Sequence, residues 1–210
     1  MSKHFLIACV LLLSVTSATA ADFAKVRYSI RNLEGKLIEA SAEGQAAVMA
    51  VDRMIPEWRE AVKSMAAGEK KTVRTAEYDI ETELLEIIKG PDTPAELTAP
   101  PAEAEKTRSG LAFKVLREGT GVTKPRRRST VRVNYSGWSG DGRLFDSTVL
   151  RGQPAEFRLD NVIDGWTEGL QMMVEGEVRR FWIPAKLAYA KEPGKPQGML
   201  VFDIELIEVK

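Results

Sequence analysis

The feature that most constrains this chain is that it repeats itself. VRYSIRNLEGKLIEAS, starting at Val26, shadows VNYSGWSGDGRLFDST, starting at Val133; Tyr28 falls opposite Tyr135, Gly35 opposite Gly142, Ile38 opposite Phe145 and Glu39 opposite Asp146. Further on, MIPEWREAVKSMAAGEKKTVRT shadows VIDGWTEGLQMMVEGEVRRFWI, so that Ile55, Trp58, Val62 and Met65 repeat the spacing of Ile163, Trp166, Leu170 and Met173, and Gly68 matches Gly176. A weaker third match sets IETELLEI against FDIELIEV, with Leu84 opposite Leu206. One fold must therefore accommodate both halves, and the first copy is the shorter. It lacks the opening run Leu111 to Leu116, and only a few residues, Ala76 to Ile80, stand where the second copy has a long excursion between Pro184 and Phe202.

Within the second copy the pattern reads strand (Ala112 to Glu118), strand (Thr130 to Tyr135), strand (Glu156 to Leu159), helix (Asp164 to Met173), strand (Glu177 to Ile183) and strand (Leu200 to Val209). Val131, Val133 and Tyr135 alternate with polar residues at the period of a half-buried strand, and Gly137, Gly140, Asp141 and Gly142 supply turn chemistry after it. Val162, Ile163, Trp166, Leu170 and Met173 have the spacing of a short amphipathic helix. An antiparallel β-sheet wrapped around one short α-helix, an α+β fold, buries these faces. Between the copies, residues 90–108 (GPDTPAELTAPPAEAEKTR) are rich in Pro, Ala and Glu and read as an extended linker at the domain boundary. The domains are then 22–89 and 109–210.

Residues 1–20 hold Lys3, an apolar run from Phe5 to Val15, and the small residues Ser17 to Ala21. They read as a secretory signal peptide, cut after Ala20 or Ala21, too short for a membrane span. Cys9 sits in the middle of the apolar run, which speaks against a lipoprotein. It is the only cysteine, and His4 the only histidine. A chain processed in this way has no disulfide, thiol nucleophile, Ser-His-Asp triad or usual zinc ligand set, so no metal or other cofactor is expected. With 44% hydrophobic and 29% charged residues and a formal net charge of zero, the composition is that of a globular protein, with nothing to suggest a nucleic acid partner. The basic cluster of Lys124 and Arg126 to Arg128 reads as a solvated loop.

Residues 109–210 resemble the FKBP-type peptidyl-prolyl cis-trans isomerases. The resemblance rests on SGLAFKVLREGTG, the tyrosine of VNYSGW, the FDST segment, the RGQPAEF turn, VIDGWTEGLQMM, the AYA segment and the closing strand LVFDIELIEV. It implies the same α+β fold and an apolar pocket between sheet and helix. The residues it implies as catalytic are Tyr135, Phe145, Asp146, Trp166, Tyr189 and Phe202, with Phe157, Val162 and Ile163 binding substrate and Trp166 as the pocket floor. Asp146 would orient the pocket by hydrogen bonding to Tyr135. The Tyr189 phenol or the Ile163 N–H would hold a substrate carbonyl. Taken singly, Val162, Ile163, Leu170 and Phe202 read as core, and Asp146 could simply cap a turn; the joint pattern at family positions is what sets them apart.

The same resemblance implies as partners the proline-containing unfolded or nascent chains of exported proteins, most simply in a periplasm. The loop after Tyr189, AKEPGKPQGM, is shorter than the family's usual loop and lacks its apolar segment, and Ala190 stands where the family has glycine. Weakened binding of macrolide inhibitors is therefore expected. The first copy has Ile38 for the pocket phenylalanine, Glu39 for the aspartate and no counterpart of Tyr189. It reads as a degenerate, silent copy that forms a homodimer or holds clients. The alternative function is a non-enzymatic extracytoplasmic chaperone using the same apolar pocket.

Overall fold

The computed structural model describes residues 21–190 and 192–210, and the chain divides into two compact units, the first ending at Asp92 and the second beginning at Thr93. The leader expected over residues 1–20 lies outside the described residues. Among the described residues no helix is long and apolar enough to cross a membrane.

In the first unit β1 (Asp22–Asn32) forms the backbone of a five-stranded sheet. β2 (Leu37–Ala40) pairs with its C-terminal end and β3 (Ala47–Ala50) with its N-terminal end. A helix, α1 (Pro56–Lys63), follows, started by proline at a first-turn position where its missing N–H has no helical acceptor anyway. β4 (Lys70–Arg74) and β5 (Tyr78–Lys89) complete the sheet as a hairpin, with β5 antiparallel to the whole of β1. Ala24, Val26 and Ile30 from β1, Ile80 and Leu84 from β5 and Trp58 and Val62 from α1 form its core. The alternation of the strands meets the four-residue spacing of the helix there.

The second unit repeats this order and adds to it. β6 (Glu105–Lys106) and β7 (Ala112–Arg117) precede β8 (Thr130–Ser139), β9 (Leu144–Ser147), β10 (Ala155–Arg158), α2 (Asp164–Leu170), β11 (Val178–Ile183) and β12 (Leu200–Val209). The strand order is β10-β8-β12-β11-β7-β6, with β9 on β8 and every pairing antiparallel. Gly165 and Gly169 let α2 sit close on β11: a Cβ on either would lie 2.4 Å from Ile183 or 2.7 Å from Phe181.

The duplication extends to single hydrogen bonds. Gly68 and Gly176 both have φ +84°, and each donates its N–H to the matched leucine carbonyl, Leu84 or Leu206, at 2.7 Å. The following glutamates, Glu69 and Glu177, accept the N–H of Ala66 and Val174 at 2.9 and 3.0 Å. Such a turn closes a helix onto the next strand in each copy and requires the left-handed conformation that glycine adopts without a Cβ penalty.

Four expectations are corrected. The second strand does not end at Tyr135 but runs to Ser139, so Gly137 is a strand residue and not part of the turn. Its missing Cβ makes room for two rings: one built there would lie 2.6 Å from Phe202 and 2.8 Å from Phe145. Phe145 and Asp146, read only as following the bend, form β9. The helix stops at Leu170 and not Met173, because Met172 and Met173 turn back to donate to Gly169 and Leu170; Met173 is still fully buried.

The expected free linker over 90–108 is the fourth. From Thr93 onward this segment belongs to the second unit, where Leu97 and Ala104 pack on Ala112, Trp182 and Val201, and β6 pairs with β7. The Trp182 indole N–H donates to the Glu96 carbonyl at 2.5 Å. A composition too poor to form a core suffices to cover one, because the apolar surface beneath is supplied by the sheet.

Candidate functional site

The nine residues implied as a site come from seven places in the second unit: Tyr135 on β8, Phe145 and Asp146 on β9, Phe157 on β10, Val162 and Ile163 just before α2, Trp166 on α2, Tyr189 in the connection after β11, and Phe202 on β12. Tyr135, Trp166 and Phe202 are buried, and the other apolar members pack against the same core cluster. Trp166 is the centre. The rings of Tyr135, Phe202 and Phe157 stand 5.0, 5.4 and 5.5 Å from it, at interplanar angles of 86, 83 and 88°. Phe145 meets Phe202 edge-on at 5.5 Å and 88°. Edge-to-face stacking of this kind directs positive ring edges at negative ring faces and fixes each ring's orientation. The Trp166 indole N–H is buried and unpartnered.

A polar rim borders the rings. The Tyr135 phenol donates to Asp146 Oδ2 at 2.5 Å. Arg151 was not foreseen, and it closes the arrangement: one guanidinium nitrogen donates to Asp146 Oδ1 at 2.5 Å and another to the Tyr135 oxygen at 2.8 Å. Its place five residues after Asp146 results from the left-handed Gly152, which ends a short 3-10 turn. The RGQPAEF segment held that signal, but only as part of a family likeness. Burial, reinforced by the Asp146 hydrogen bond, pushes the Tyr135 phenol up to about 12. Burial, together with the charges of Asp146 and Glu192, also raises Tyr189.

Beside this rim lies an open cleft of about 430 Å³, bordered by Phe145, Asp146, Tyr189 and Lys195. Lys195 places its ammonium 5.3 Å from the centre of the Tyr189 ring. Ala190 adopts φ +50°, the left-handed region that costs a residue with a Cβ about 1 to 2 kcal/mol. The backbone thus keeps there a conformation suited to glycine.

The first unit builds the corresponding frame with different walls. The Tyr28 phenol donates to Glu39 at 2.5 Å, and the Tyr28 and Trp58 rings lie 5.3 Å apart. Strand register sets Met49 at the position of Phe157 and Ile80 at that of Phe202. Ile38 takes the place of Phe145 and is 44% exposed. Only Thr75 to Glu77 separate β4 from β5, so no element corresponds to the one carrying Tyr189.

A family model described as FKBP-type peptidyl-prolyl cis-trans isomerase matches residues 15–79 and again 121–207, more than half of the chain. The chain belongs to this family. The FKBP-type peptidyl-prolyl cis-trans isomerase FkpA of Aeromonas hydrophila is 44% identical over 109 residues, which are 50% of this chain and 40% of that protein. FkpA of Escherichia coli K12 is 47% identical over 105 residues, 49% of this chain and 38% of that protein. A crystal structure of a peptidyl-prolyl cis-trans isomerase from Pseudomonas syringae is 38% identical, covering 58% of this chain and 99% of that one, with a TM-score of 0.49. The chain thus spans less than half the length of the curated FkpA relatives it matches.

Among the described residues no group of three or more His, Cys, Asp or Glu side chains is placed to hold a metal ion. The site offers shape, apolar surface and a few fixed dipoles.

Proposed function

We propose that the second unit is a peptidyl-prolyl cis-trans isomerase acting on proline-containing segments of exported proteins. The observation behind this is the ring of Tyr135, Phe157 and Phe202 standing edge-on around Trp166, bordered by the Tyr135–Asp146–Arg151 rim. Rotation about an X-Pro bond crosses a barrier of roughly 18 to 20 kcal/mol set by amide resonance and breaks no bond. The twisted amide has lost that resonance and carries less charge separation than the planar one. A cleft that removes water from the imide therefore stabilises the twisted form more than the planar ground state.

In this reading the proline ring rests on Trp166 between Phe145 and Phe202, and the Tyr189 phenol donates to the substrate carbonyl. Its raised pKa keeps it protonated, as a donor, throughout the neutral range. Asp146 acts through Tyr135, fixing the ring next to Trp166. The first copy, with three of the phenylalanine positions aliphatic, is catalytically silent. The family match, the residues 1–20 that read as a leader, and a relative named outer membrane protein MIP from Legionella longbeachae support an exported, periplasmic setting.

The test is the cis-to-trans rate of a short X-Pro peptide with the purified chain and with Asp146→Ala and Tyr189→Ala. Acceleration by the wild type that falls in both variants supports the reading. A folded wild type without acceleration would leave a peptide-binding chaperone as the function.

A further inference from the structure

An apolar cavity lies in the first copy. It measures about 230 Å³, and its lining includes Met49, Met54, Ile55, Trp58, Tyr78 and Ile80. Its origin lies in the changes that remove the isomerase walls. In the second copy the rings of Phe157 and Phe202 abut the tryptophan, whereas Met49 and Ile80 at the same register positions leave that space open. An apolar cavity of about 150 Å³ is already large enough to admit a benzene ring. This one has room for a bulky aliphatic or aromatic side chain.

One further observation indicates what such a side chain would be attached to. Val48, Met49 and Ala50 in the cavity wall belong to β3, an edge strand that pairs only with β1. An extended polypeptide can continue the sheet there and place alternate side chains over the cavity. A compact small molecule would use the cavity but not the edge.

The geometry points to a second polypeptide-binding site in the first copy, which takes an extended apolar segment of an unfolded chain and anchors one large aliphatic or aromatic side chain beside Trp58. It needs no proline, because the aromatic slot that would select a pyrrolidine ring is gone. It is distinct from the isomerase pocket of the second copy and would exist whether or not that pocket is active. Val48 is 39% exposed, so apolar surface reaches from the cavity to its mouth.

The experiment labels the full chain with fluorotryptophan and follows the fluorine resonances, with Trp58→Phe identifying the one of interest. The probe is a proline-free peptide, blocked at both ends, with a central Phe-Leu pair among alanine and glycine. A saturable shift of the Trp58 resonance is expected, absent when Ser-Ser replaces Phe-Leu. Val48→Asp should weaken that binding about tenfold by placing a charge at the apolar mouth, without changing the X-Pro isomerisation rate. A Trp58 resonance that ignores saturating Phe-Leu peptide overturns the proposal, even if Trp166 responds to an X-Pro peptide. So does one that moves only with protein concentration, which would assign the cavity to a second copy of this chain. Loss of isomerase activity alone would leave the inference standing.

Discussion

Replacing Gly137 by alanine tests the site at its tightest point. The new methyl carbon would lie 2.6 Å from Phe202 Cε1 and 2.8 Å from Phe145 Cζ, where ordinary contact begins at 3.4 Å. Phe202 is 2% exposed and stacked on Trp166 and Phe145, so neither ring can move away into solvent without disturbing the others. Overpacking of this kind costs about 1 to 3 kcal/mol. Against that, alanine in a strand restricts the unfolded chain and returns about 0.4 to 1 kcal/mol. A net loss of about 1 to 2 kcal/mol is expected, a modest fall in the urea midpoint of a chain that still folds. The effect on turnover should be larger. Displacing both rings by the better part of an ångström shifts the walls against which the proline is held, and misplacement of about 1 Å can cost about a hundredfold in rate. The assay compares kcat/KM on a short X-Pro peptide with the denaturation midpoint of the same preparation. A variant with wild-type turnover and a clearly lowered midpoint would show that Phe145 and Phe202 are core and not pocket. Unchanged values of both would refute the packing argument itself.

Arg151→Ala should cost stability less than about 1 kcal/mol, because both members of its ion pair with Asp146 are about two-fifths exposed. Its turnover should fall by up to about tenfold as Asp146 and Tyr135 lose their clamp, and unaltered turnover would remove Arg151 from the site. Leu97→Ala should destabilise the second unit by about 1 to 2 kcal/mol through lost packing on Trp182, whereas a free linker would make it neutral to thermal unfolding. In alkaline titration, the phenols of Tyr28 and Tyr135 should ionise near 12 and not 10. Burial and the carboxylate partner keep the folded phenols protonated between those values while the unfolded ones have lost their protons. The folded state therefore holds more protons, and stability should be intact below pH 10 and fall as pH rises from 10 towards 12. Tyr135→Phe should reduce that alkaline loss, and an unchanged alkaline slope would contradict it.

The parts of this architecture that could be read from the chain are those whose cause is periodic or local. Strands β8 and β12 and the start of α2 follow from alternation and from helical spacing around Trp166. The left-handed turns at Gly68 and Gly176 are marked in both copies by a glycine followed by a glutamate. Arg151 and Leu97 were not readable in the same way. Arg151 reaches Asp146 only because the 3-10 turn and Gly152 bend the chain back, and its spacing alone carries no such signal. Leu97 lies among prolines and alanines whose composition indicates only that they form no core of their own. It cannot indicate that Trp182 and Val201 offer them one. Gly137 was misread for a related reason: glycine in a sequence announces freedom, and whether that freedom serves a turn or a ring is decided by Phe145 and Phe202, which lie far along the chain.

The comparison of the copies separates what the fold requires from what the proposed isomerase site adds. Both keep the tyrosine, its carboxylate partner, the tryptophan and the glycine–glutamate turn, so these suffice to seat a helix on the sheet. A tyrosine beside a tryptophan is therefore no mark of catalysis by itself. What the second copy adds is Phe145, Phe157 and Phe202 as walls, Arg151 on the carboxylate, and an excursion long enough to bring Tyr189 back over the rim. Each addition narrows the space above Trp166 or fixes a dipole beside it, which an isomerase of this kind needs and a peptide anchor does not. The first copy's apolar cavity is the complementary outcome of the same frame, in which Met49 and Ile80 stand where the second copy has Phe157 and Phe202.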